Sequence, residues 1–369
     1  MYNTQKPKFI AFYLPQYHPI PENDIWWGKG FTEWTNVAKA APLFKGHYQP
    51  HLPADLGYYD LRVPEVREQQ ANLAREHGIE GFCYWHYWFA GKRLIERPFA
   101  EVLESGKPDF PFCLAWANDT WTGIWYGAPD KILMEQTYPG EEDFINHFYA
   151  VLPALKDERY IRVDGKPVFV VYRPENLPDP QSFVELWQDL AVKNGLKGIY
   201  FLGVAYPDWD YKSRGFDGII FDSFVPIMTI MREKYKKTIT GFITSLTRRI
   251  LLRMKNLSKT LPWVYSYKDF VDAGLPTISV DLNQYPLIFP NWDNTPRSGT
   301  NGLVLEGSTP DYFTKQLLEA ISQVRGREPE KQIIFIKAWN EWAEGNYLEP
   351  DQKFGMAYLD AIKNVIENL

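Results

Sequence analysis

Short apolar runs recur along the chain, and amphipathic stretches with helical spacing separate them. Several runs are continuous rather than alternating, which is typical of parallel strands covered on both faces. The eight predicted strands are Phe9–Leu14, Gly81–Trp88, Phe110–Trp116, Val168–Tyr172, Ile199–Val204, Gly218–Phe221, Thr277–Leu282 and Ile333–Ala338. The predicted helices between them include Val63–His77, Glu141–Leu155, Gln181–Lys193 and Tyr312–Val324.

Eight strands that alternate with helices favour a closed (β/α)₈ barrel of the TIM type, an α/β fold, in one catalytic domain spanning residues 1–369. The connection from Tyr206 to Gly215 is short for a complete crossover helix. A doubly wound open sheet is the alternative. The segment after the first strand, Pro15–Pro19, lacks the glycine-rich phosphate-binding turn of that fold, so we expect the barrel.

Three predicted connections are long, and two of them, Pro15–Asp60 and Asn118–Gly140, leave the carboxyl end of a strand. Barrel enzymes carry their active sites at that end. Both connections are rich in Trp, Tyr, Asn and Gly, which suits a binding loop. We therefore expect these two long βα loops to help form the functional site.

The third long connection, Val225–Pro276, contains a basic insert at residues 226–275 between strands 6 and 7. Within this insert ten Lys and Arg residues stand against three acids. Four apolar side chains form a helical stripe: Ile243, Leu246, Ile250 and Met254. The stripe predicts either a solvated helix packed over the barrel or a basic amphipathic helix in peripheral contact with an anionic membrane.

The charge and the apolar content of the chain bear on which partners and which cellular location are expected. The 369 residues carry 40 Lys and Arg against 46 Asp and Glu, a net charge of −6, so a nucleic-acid partner gains no support. The sequence has no apolar run near 18 residues, and its first eight residues lack the apolar core of a secretory signal. We expect a cytoplasmic protein, periplasmic only if a leader was removed. Cys83 and Cys113 lie in apolar runs and are expected to be buried, reduced thiols.

Aromatic content is high, with 14 Trp, 23 Tyr and 23 Phe. A core seldom needs so much Trp, because each buried indole N–H requires a hydrogen-bond partner. Aromatic faces with polar edges suit an amphipathic ligand such as a sugar ring. The composition therefore favours a saccharide ligand.

The strongest candidate chemistry follows the last predicted strand, at Glu341 and Glu344. Residues three apart lie on opposite faces of a strand, but a helical turn toward Gly345 would bring both to one face. Glycosidic bond cleavage uses an acid that protonates the leaving oxygen and a carboxylate that supports attack at the anomeric carbon. Burial and neighbouring charge would raise the pKa of one of them. The alternative is a pair of solvated surface acids.

Long stretches spread over the chain carry a family resemblance. They are Phe12–Trp34, Gly46–Asp60, Gly81–Phe89, Gly165–Pro174, Trp292–Arg297 and Ala338–Pro350. On these stretches the sequence resembles the WbsX family of bacterial polysaccharide-cluster proteins, which is described as glycoside hydrolase family 99-like. A more remote resemblance, through the barrel and the Asn-Glu-Trp-x-Glu-Gly element, is to the endo-α-1,2-mannosidases and mannanases of family 99.

The resemblance implies a retaining mechanism without a protein nucleophile. Glu341 would act as the base that assists the sugar 2-hydroxyl in attacking its own anomeric carbon, which gives a 1,2-anhydro sugar. Glu344 would be the general acid and then the base for incoming water. Tyr172, at the end of the fourth strand, would neighbour the pair as a third catalytic residue.

Candidate substrate-binding residues follow the predicted strands, since rings and a few fixed polar groups hold sugars. They are Gln16, His18, Trp26, Trp27, Glu33, Trp34, Tyr84, His86, Trp88, Trp116, Asn118, Asp119, Trp292, Asp293, Arg297, Trp339, Asn340 and Trp342. His18 and His86 could instead be structural, and the other histidines favour that role, with His77 and His147 interpreted as lying on helix surfaces. Many family members have Asn-Glu-Asn-Trp where this chain has Asn118–Trp121, so substrate specificity does not transfer through that segment.

Three functions are consistent with these sequence patterns. The first is a retaining glycoside hydrolase acting on a bacterial-type polysaccharide or oligosaccharide. The second is a glycosyltransferase of cell-surface polysaccharide biosynthesis, such as O-antigen or capsule, and the third is a glycan-binding barrel without activity. The Asp208-Trp209-Asp210 tripeptide has the form that some sugar-nucleotide transferases use for a divalent ion, but a helix cap explains it as well. We expect neither a metal nor a cofactor.

Overall fold

A computed structural model describes residues 6–123, 128–206, 208–236, 261–278 and 283–369. Eight parallel strands form a barrel, and the barrel is closed because the first strand pairs with both the second and the eighth. The strands are β1 (Lys8–Tyr13), β2 (Ile79–Phe89), β3 (Phe112–Trp116), β4 (Lys166–Val171), β5 (Tyr200–Ala205), β6 (Gly218–Phe221), β7 (Gln284–Ile288) and β8 (Ile333–Ile336). The predicted (β/α)₈ fold is confirmed.

Helices surround the barrel and occupy the loops. They are α1 (Pro21–Trp27), α2 (Glu33–Lys39), α3 (Pro64–Glu76), α4 (Arg97–Ser105), α5 (Glu141–Lys156), α6 (Pro180–Lys193), α7 (Phe224–Lys236), α8 (Tyr267–Asp272), α9 (Thr295–Ser298), α10 (Pro310–Val324) and α11 (Ala357–Glu367). The four predicted helices correspond to α3, α5, α6 and α10. The short connection between β5 and β6 contains a 3₁₀ turn at Lys212–Arg214, so the barrel closes there without a long crossover helix.

The seventh strand was predicted wrongly. The apolar run Thr277–Leu282 was chosen, whereas β7 is Gln284–Ile288, and residues 279–282 of the chosen run lie outside the described residues. The polar Gln284 and the proline at position 286 interrupt the apolar pattern of β7, and proline is expected only in edge strands. The sequence therefore did not indicate a central strand here. In a parallel barrel each strand lies between two partners, and β7 pairs with β6 and β8 through Pro286 and its neighbours.

The long loops carry structure of their own. The first contains α1 and α2, and the second contains the antiparallel strands Trp121–Gly123 and Ala128–Met134. Part of the basic insert forms a second sheet outside the barrel, in which Trp263–Ser266 pairs in parallel with Leu303–Glu306. The predicted apolar stripe lies outside the described residues. Among the helices that are described, none is both long enough and apolar enough to span a bilayer.

Two predictions about buried groups have different outcomes. Cys83 and Cys113 are buried and free, as expected, and they lie opposite one another on β2 and β3.

The interpretation of His147 as a helix-surface residue is wrong, because its ring is buried between α5 and the barrel. Its Nε2 lies 2.9 Å from Nε2 of His86. Burial lowers the pKa of His86 to about 3 and that of His147 well below its ordinary value, so both rings are neutral.

Candidate active site

A tight hairpin beyond β8 brings the two predicted glutamates together. Asn340–Glu341 pairs antiparallel with Asn346–Tyr347, and a 3₁₀ turn at Trp342–Glu344 joins them. Residues three apart on such a turn share one face, so Glu341 and Glu344 both reach the same cavity at the carboxyl end of the barrel. The helical turn expected from the sequence is therefore present.

Gly345 closes this turn in a conformation that favours glycine, with φ of +64°. A Cβ at this position would lie 2.7 Å from the backbone nitrogen of Asp293. We expect Gly345→Ala to lower the free energy of unfolding by roughly 2–4 kcal/mol, from left-handed strain plus the clash. Gly91→Ala is the control, because Gly91 has φ of +90° and open space around it. Urea denaturation that shows equal losses for both variants would contradict the packing argument.

Buried hydrogen bonds hold the hairpin against the end of β1. The Asn340 side chain accepts from the N–H of Leu14 at 2.7 Å and donates to its carbonyl at 3.0 Å. The Tyr17 hydroxyl donates to the carbonyl of Asn340. The Trp342 indole N–H donates to Glu349 at 2.6 Å. Every one of these groups is buried, so the backbone that carries the two glutamates has little freedom.

The cavity beside the hairpin measures about 240 Å³ and combines rings with charged groups. It is lined by Leu14, Gln16, Trp27, Trp85, Tyr87, Ala117, Asp119, Thr120, Trp121, Thr122, Leu133, Tyr172, Arg297, Lys337, Glu341 and Glu344. Indole and phenol rings beside carboxylates and amides are what a sugar-binding site requires.

Arg297 joins the two glutamates to a third carboxylate. Its Nη1 lies 2.5 Å from Glu344, its Nη2 lies 3.2 Å from Glu341, and its Nε lies 2.8 Å from Glu33. Glu33 is fully buried behind the guanidinium. One planar cation thus fixes the relative positions of both candidate catalytic carboxylates.

Lys337 provides a second cation on the other side of Glu344. Its Nζ lies 3.7 Å from Glu344 and above the rings of Trp292 and Tyr172, 5.4 and 6.0 Å from their centroids. Burial alone would lower the pKa of Lys337, but Glu344 and Tyr172 raise it above its ordinary value, so the ammonium stays charged.

Three buried carboxyl groups, those of Glu33, Glu341 and Glu344, share two cations, Arg297 and Lys337. Burial, and next the charge of Glu344, raise the pKa of Glu341 to about 7. Burial also acts to raise the pKa of Glu344, but Arg297 and Lys337 outweigh it and hold that pKa below its ordinary value. In the free protein the pair therefore retains one proton up to about neutral pH, on Glu341.

Hydrogen bonds distinguish the two carboxyl groups in another way. Both oxygens of Glu341 face N–H donors, the Trp85 indole at 3.0 Å and Arg297. In the described part of the chain, Oε2 of Glu344 accepts no hydrogen bond within normal distance. The surroundings of Glu341 suit a base that must be ionised in the reacting complex, and Glu344 has an oxygen free to carry a proton.

Several predicted residues do line the cavity: Gln16, Trp27, Asp119, Tyr172, Arg297, Glu341 and Glu344. Trp26 is not a lining residue, but its ring lies 5.9 Å from that of Trp121, which lines the cavity. Burial raises the pKa of Tyr172 and outweighs the opposing charges of Lys337 and Arg173, so its hydroxyl is protonated. These residues remain candidates for binding or catalysis.

Four predicted binding residues point away from the cavity: Tyr84, His86, Trp88 and Trp116. Tyr84 packs on Phe99 of α4, while His86, Trp88 and Trp116 contact His147 of α5. Successive strand residues face opposite sides, so Trp85 and Tyr87 of β2 line the cavity instead. On β2 aromatic residues occupy both faces, and the face predicted to bind sugar is the one turned away from the cavity.

The other predicted binding residues do not line the cavity either. Asn340, Trp342 and Trp339 support the hairpin from its buried side, and Trp34 packs against Trp342 and Tyr17. The remaining supports are buried or partly buried: His18 against Pro15, Asn118 against the backbone of Arg173, Trp292 against Phe224, Asp293 against His47 and Glu33 against Arg297. In the structure these side chains support the walls around the cavity.

Lys337, Trp85 and Tyr87 also line the cavity but were not predicted from the sequence. A lysine that ends an otherwise apolar strand, Ile333–Ile336, was the available signal. The Asp-x-Asp tripeptide has a local explanation, because Asp210 accepts a hydrogen bond from the N–H of Ser213 at 3.3 Å. Within the ranges that the structure describes, no group of three or more His, Cys, Asp or Glu side chains could hold a metal ion.

The sequence model of the family described as Glycosyltransferase WbsX matches residues 9–362. A protein named "Uncharacterized protein WxcX", from each of two strains of Xanthomonas campestris pv. campestris, is 39% identical over 369 residues. That alignment covers 98% of this chain and 50% of each relative, so the chain spans about half the length of the curated relatives it matches.

Solved structures share the fold at low identity. The GH99 endo-alpha-mannosidase from Bacteroides thetaiotaomicron has a TM-score of 0.58 and 15% identity, with 98% of this chain and 96% of that chain covered. A structure titled "Glycoside hydrolase-like protein" has a TM-score of 0.59 and 14% identity, with 99% and 95% covered. At these identities the similarity shows the (β/α)₈ fold alone.

Proposed function

The chain belongs to the WbsX family of carbohydrate-active enzymes, and on that premise we propose that it is a retaining glycoside hydrolase acting on a bacterial-type polysaccharide or oligosaccharide. The observation that carries the proposal is the paired Glu341 and Glu344 in an aromatic-lined cavity, held by one guanidinium. Hydrolysis of a glycosidic bond requires two such carboxyl groups, one protonated and one ionised.

In the proposed reaction the ionised Glu341 accepts the proton of the sugar 2-hydroxyl, whose oxygen attacks the anomeric carbon. Glu344 donates its proton to the leaving oxygen as the glycosidic bond breaks, which leaves a 1,2-anhydro sugar. Water then opens this ring after giving a proton to Glu344, while Glu341 returns its proton to the 2-oxygen. Two inversions at the same carbon give net retention.

These roles require the proton of the pair to lie on Glu344 when the sugar is bound. In the free protein Glu341 holds it, so the reactive form is the minor tautomer of a singly protonated pair. A bound sugar that takes hydrogen bonds from Lys337 and Arg297 weakens their stabilisation of the Glu344 carboxylate. Substrate binding would then shift the proton toward Glu344.

The pH dependence follows from that single proton. The pair loses it as pH rises through about 7, where Glu341 ionises. We expect kcat/KM to fall above about pH 7, approaching a tenfold loss per pH unit. On the acid side the decline begins only where the second carboxyl is protonated, below the ordinary range of a glutamate. A rate that keeps rising between pH 7 and 9 would contradict the requirement for a protonated pair.

A glycosyltransferase of cell-surface polysaccharide assembly is the second candidate, favoured by the description of the matching family. One experiment separates the two. The protein is incubated with an oligosaccharide panel alone, and in parallel with nucleotide sugars and Mg²⁺. We expect new reducing ends without any nucleotide. Turnover that requires a nucleotide sugar and releases its nucleotide would overturn the hydrolase proposal.

A further inference from the structure

Asp293 is a buried carboxylate that contacts the hairpin from the side opposite the candidate cavity. Its Oδ2 accepts from Nε2 of His47 at 2.8 Å and from the amide of Gln49 at 2.7 Å. Its Oδ1 accepts from the N–H and the hydroxyl of Thr295, at 2.9 and 2.6 Å. All its principal acceptor positions are therefore occupied by protein donors.

The donors fix the charge and orientation of this side chain. Nδ1 of His47 accepts the N–H of Leu43 at 3.1 Å, so the neutral ring carries its hydrogen on Nε2 and donates it to Asp293. Burial acts to raise the pKa of Asp293, but the hydrogen bonds from His47, Thr295 and Gln49 hold it below its ordinary value. Asp293 thus stays ionised as a fourfold acceptor.

Asp293 also contacts both halves of the catalytic cluster. Its backbone N–H donates to the carbonyl of Glu344 at 2.7 Å, and Gly345 packs against its backbone without room for a Cβ. The Thr295 that it binds begins α9, the short helix that carries Arg297. One residue therefore holds the main chain of Glu344 and the helix that presents the guanidinium.

We propose that Asp293 is a positioning residue: anchored by His47 and Gln49, it sets the placement of Arg297 relative to Glu341 and Glu344. The proposal rests on the proposed function of that pair. It also gives a role to the His47–Gln49 segment, part of a stretch that carries the family resemblance. His47 and Asp293 line a separate cavity of about 200 Å³ behind the hairpin and do not line the one holding the glutamates.

Asp293→Asn is the direct test, because the amide NH₂ must face the donors of either His47 and Gln49 or Thr295. We expect α9 to shift and Arg297 to loosen from the pair. Since Arg297 lowers the pKa of Glu341, the titration of Glu341 near pH 7 should move up by roughly one unit. The measurement is a ¹³C NMR titration of labelled glutamate carboxyls, with Glu341 assigned through Glu341→Gln.

Asp157→Asn is the matched control, since Asp157 also accepts several hydrogen bonds, from Arg159 at the end of α5. It should leave the titration of Glu341 unchanged. His47→Ala should shift that titration in the same direction as Asp293→Asn, and the double variant should shift it no further.

A folded Asp293→Asn protein with an unchanged titration, or additive shifts in the double variant, would overturn the proposal. If Asp293→Asn does not fold, an unchanged titration in His47→Ala overturns it equally. The measurement needs no substrate. A protein that shows the expected shifts and cleaves no glycoside would refute the proposed function and leave the positioning role intact.

Discussion

Glu344→Gln is expected to lower the cleavage of a natural oligosaccharide by about 10²–10⁴-fold, because the amide cannot protonate the leaving oxygen. An aryl glycoside with a good leaving group, such as dinitrophenolate, needs no such proton. We therefore expect this variant to retain much of the wild-type rate of bond cleavage on that substrate. Glu341→Gln should lose activity on both substrates, since the 2-hydroxyl then has no base.

The comparison is made from steady-state rates on both substrates, with Glu104→Gln on α4 as a surface control. The opposite pattern, in which Glu341→Gln is rescued by the good leaving group, would assign the proton donor to Glu341, where the free protein holds the proton. Full activity of either variant on the natural substrate would remove that residue from the mechanism altogether.

Arg297→Met is expected to have the largest effect on stability. Glu33, Glu341 and Glu344 would then be buried without the cation that all three contact. Removing one partner of a buried ion pair costs about 3–5 kcal/mol, because the remaining charge is uncompensated. The loss should also abolish activity, since the two proposed catalytic carboxyls lose the guanidinium that holds both of them.

The stability loss should depend on pH in a defined direction. Without the guanidinium the folded carboxyls have pKa values above those of the unfolded chain. Folding therefore becomes less favourable as pH rises through and above the ordinary glutamate range. We expect urea unfolding to show a small deficit near pH 5 and the full one near pH 8. Arg62→Met, which removes an exposed pair with Asp60, is the control. Similar deficits in the two variants at pH 8 would contradict the account.

The barrel could be predicted from the sequence because its strands are continuous apolar runs and its longer helices are amphipathic. β7 was missed because Gln284 and Pro286 interrupt its apolar pattern. Its extended conformation is evident only from its pairing with β6 and β8. The turn that unites Glu341 and Glu344 was predictable from the polar residues and the glycine that follow the apolar run.

The parts of the site that were missed depend on tertiary packing. In the run Tyr84-Trp85-His86-Tyr87-Trp88 the side chains on both faces of the strand are aromatic, so the sequence does not indicate which face lines the cavity. The side chains of His86 and Trp88 pack against His147 of α5, and those of Trp85 and Tyr87 line the cavity. Asp293 was predicted as a sugar contact because it follows the predicted seventh strand beside Trp292, and rings with a few fixed polar groups hold sugars. The partners that remove it from the cavity lie some 240 residues away, at His47 and Gln49.

The crystal structure of Glu344→Gln bound to an oligosaccharide would test the central claim most directly. The expected complex places one anomeric carbon between residues 341 and 344, with its 2-hydroxyl in hydrogen-bond contact with Glu341 and the glycosidic oxygen facing Gln at 344. A sugar bound elsewhere, or one whose glycosidic oxygen reaches neither side chain, would contradict catalysis by this pair.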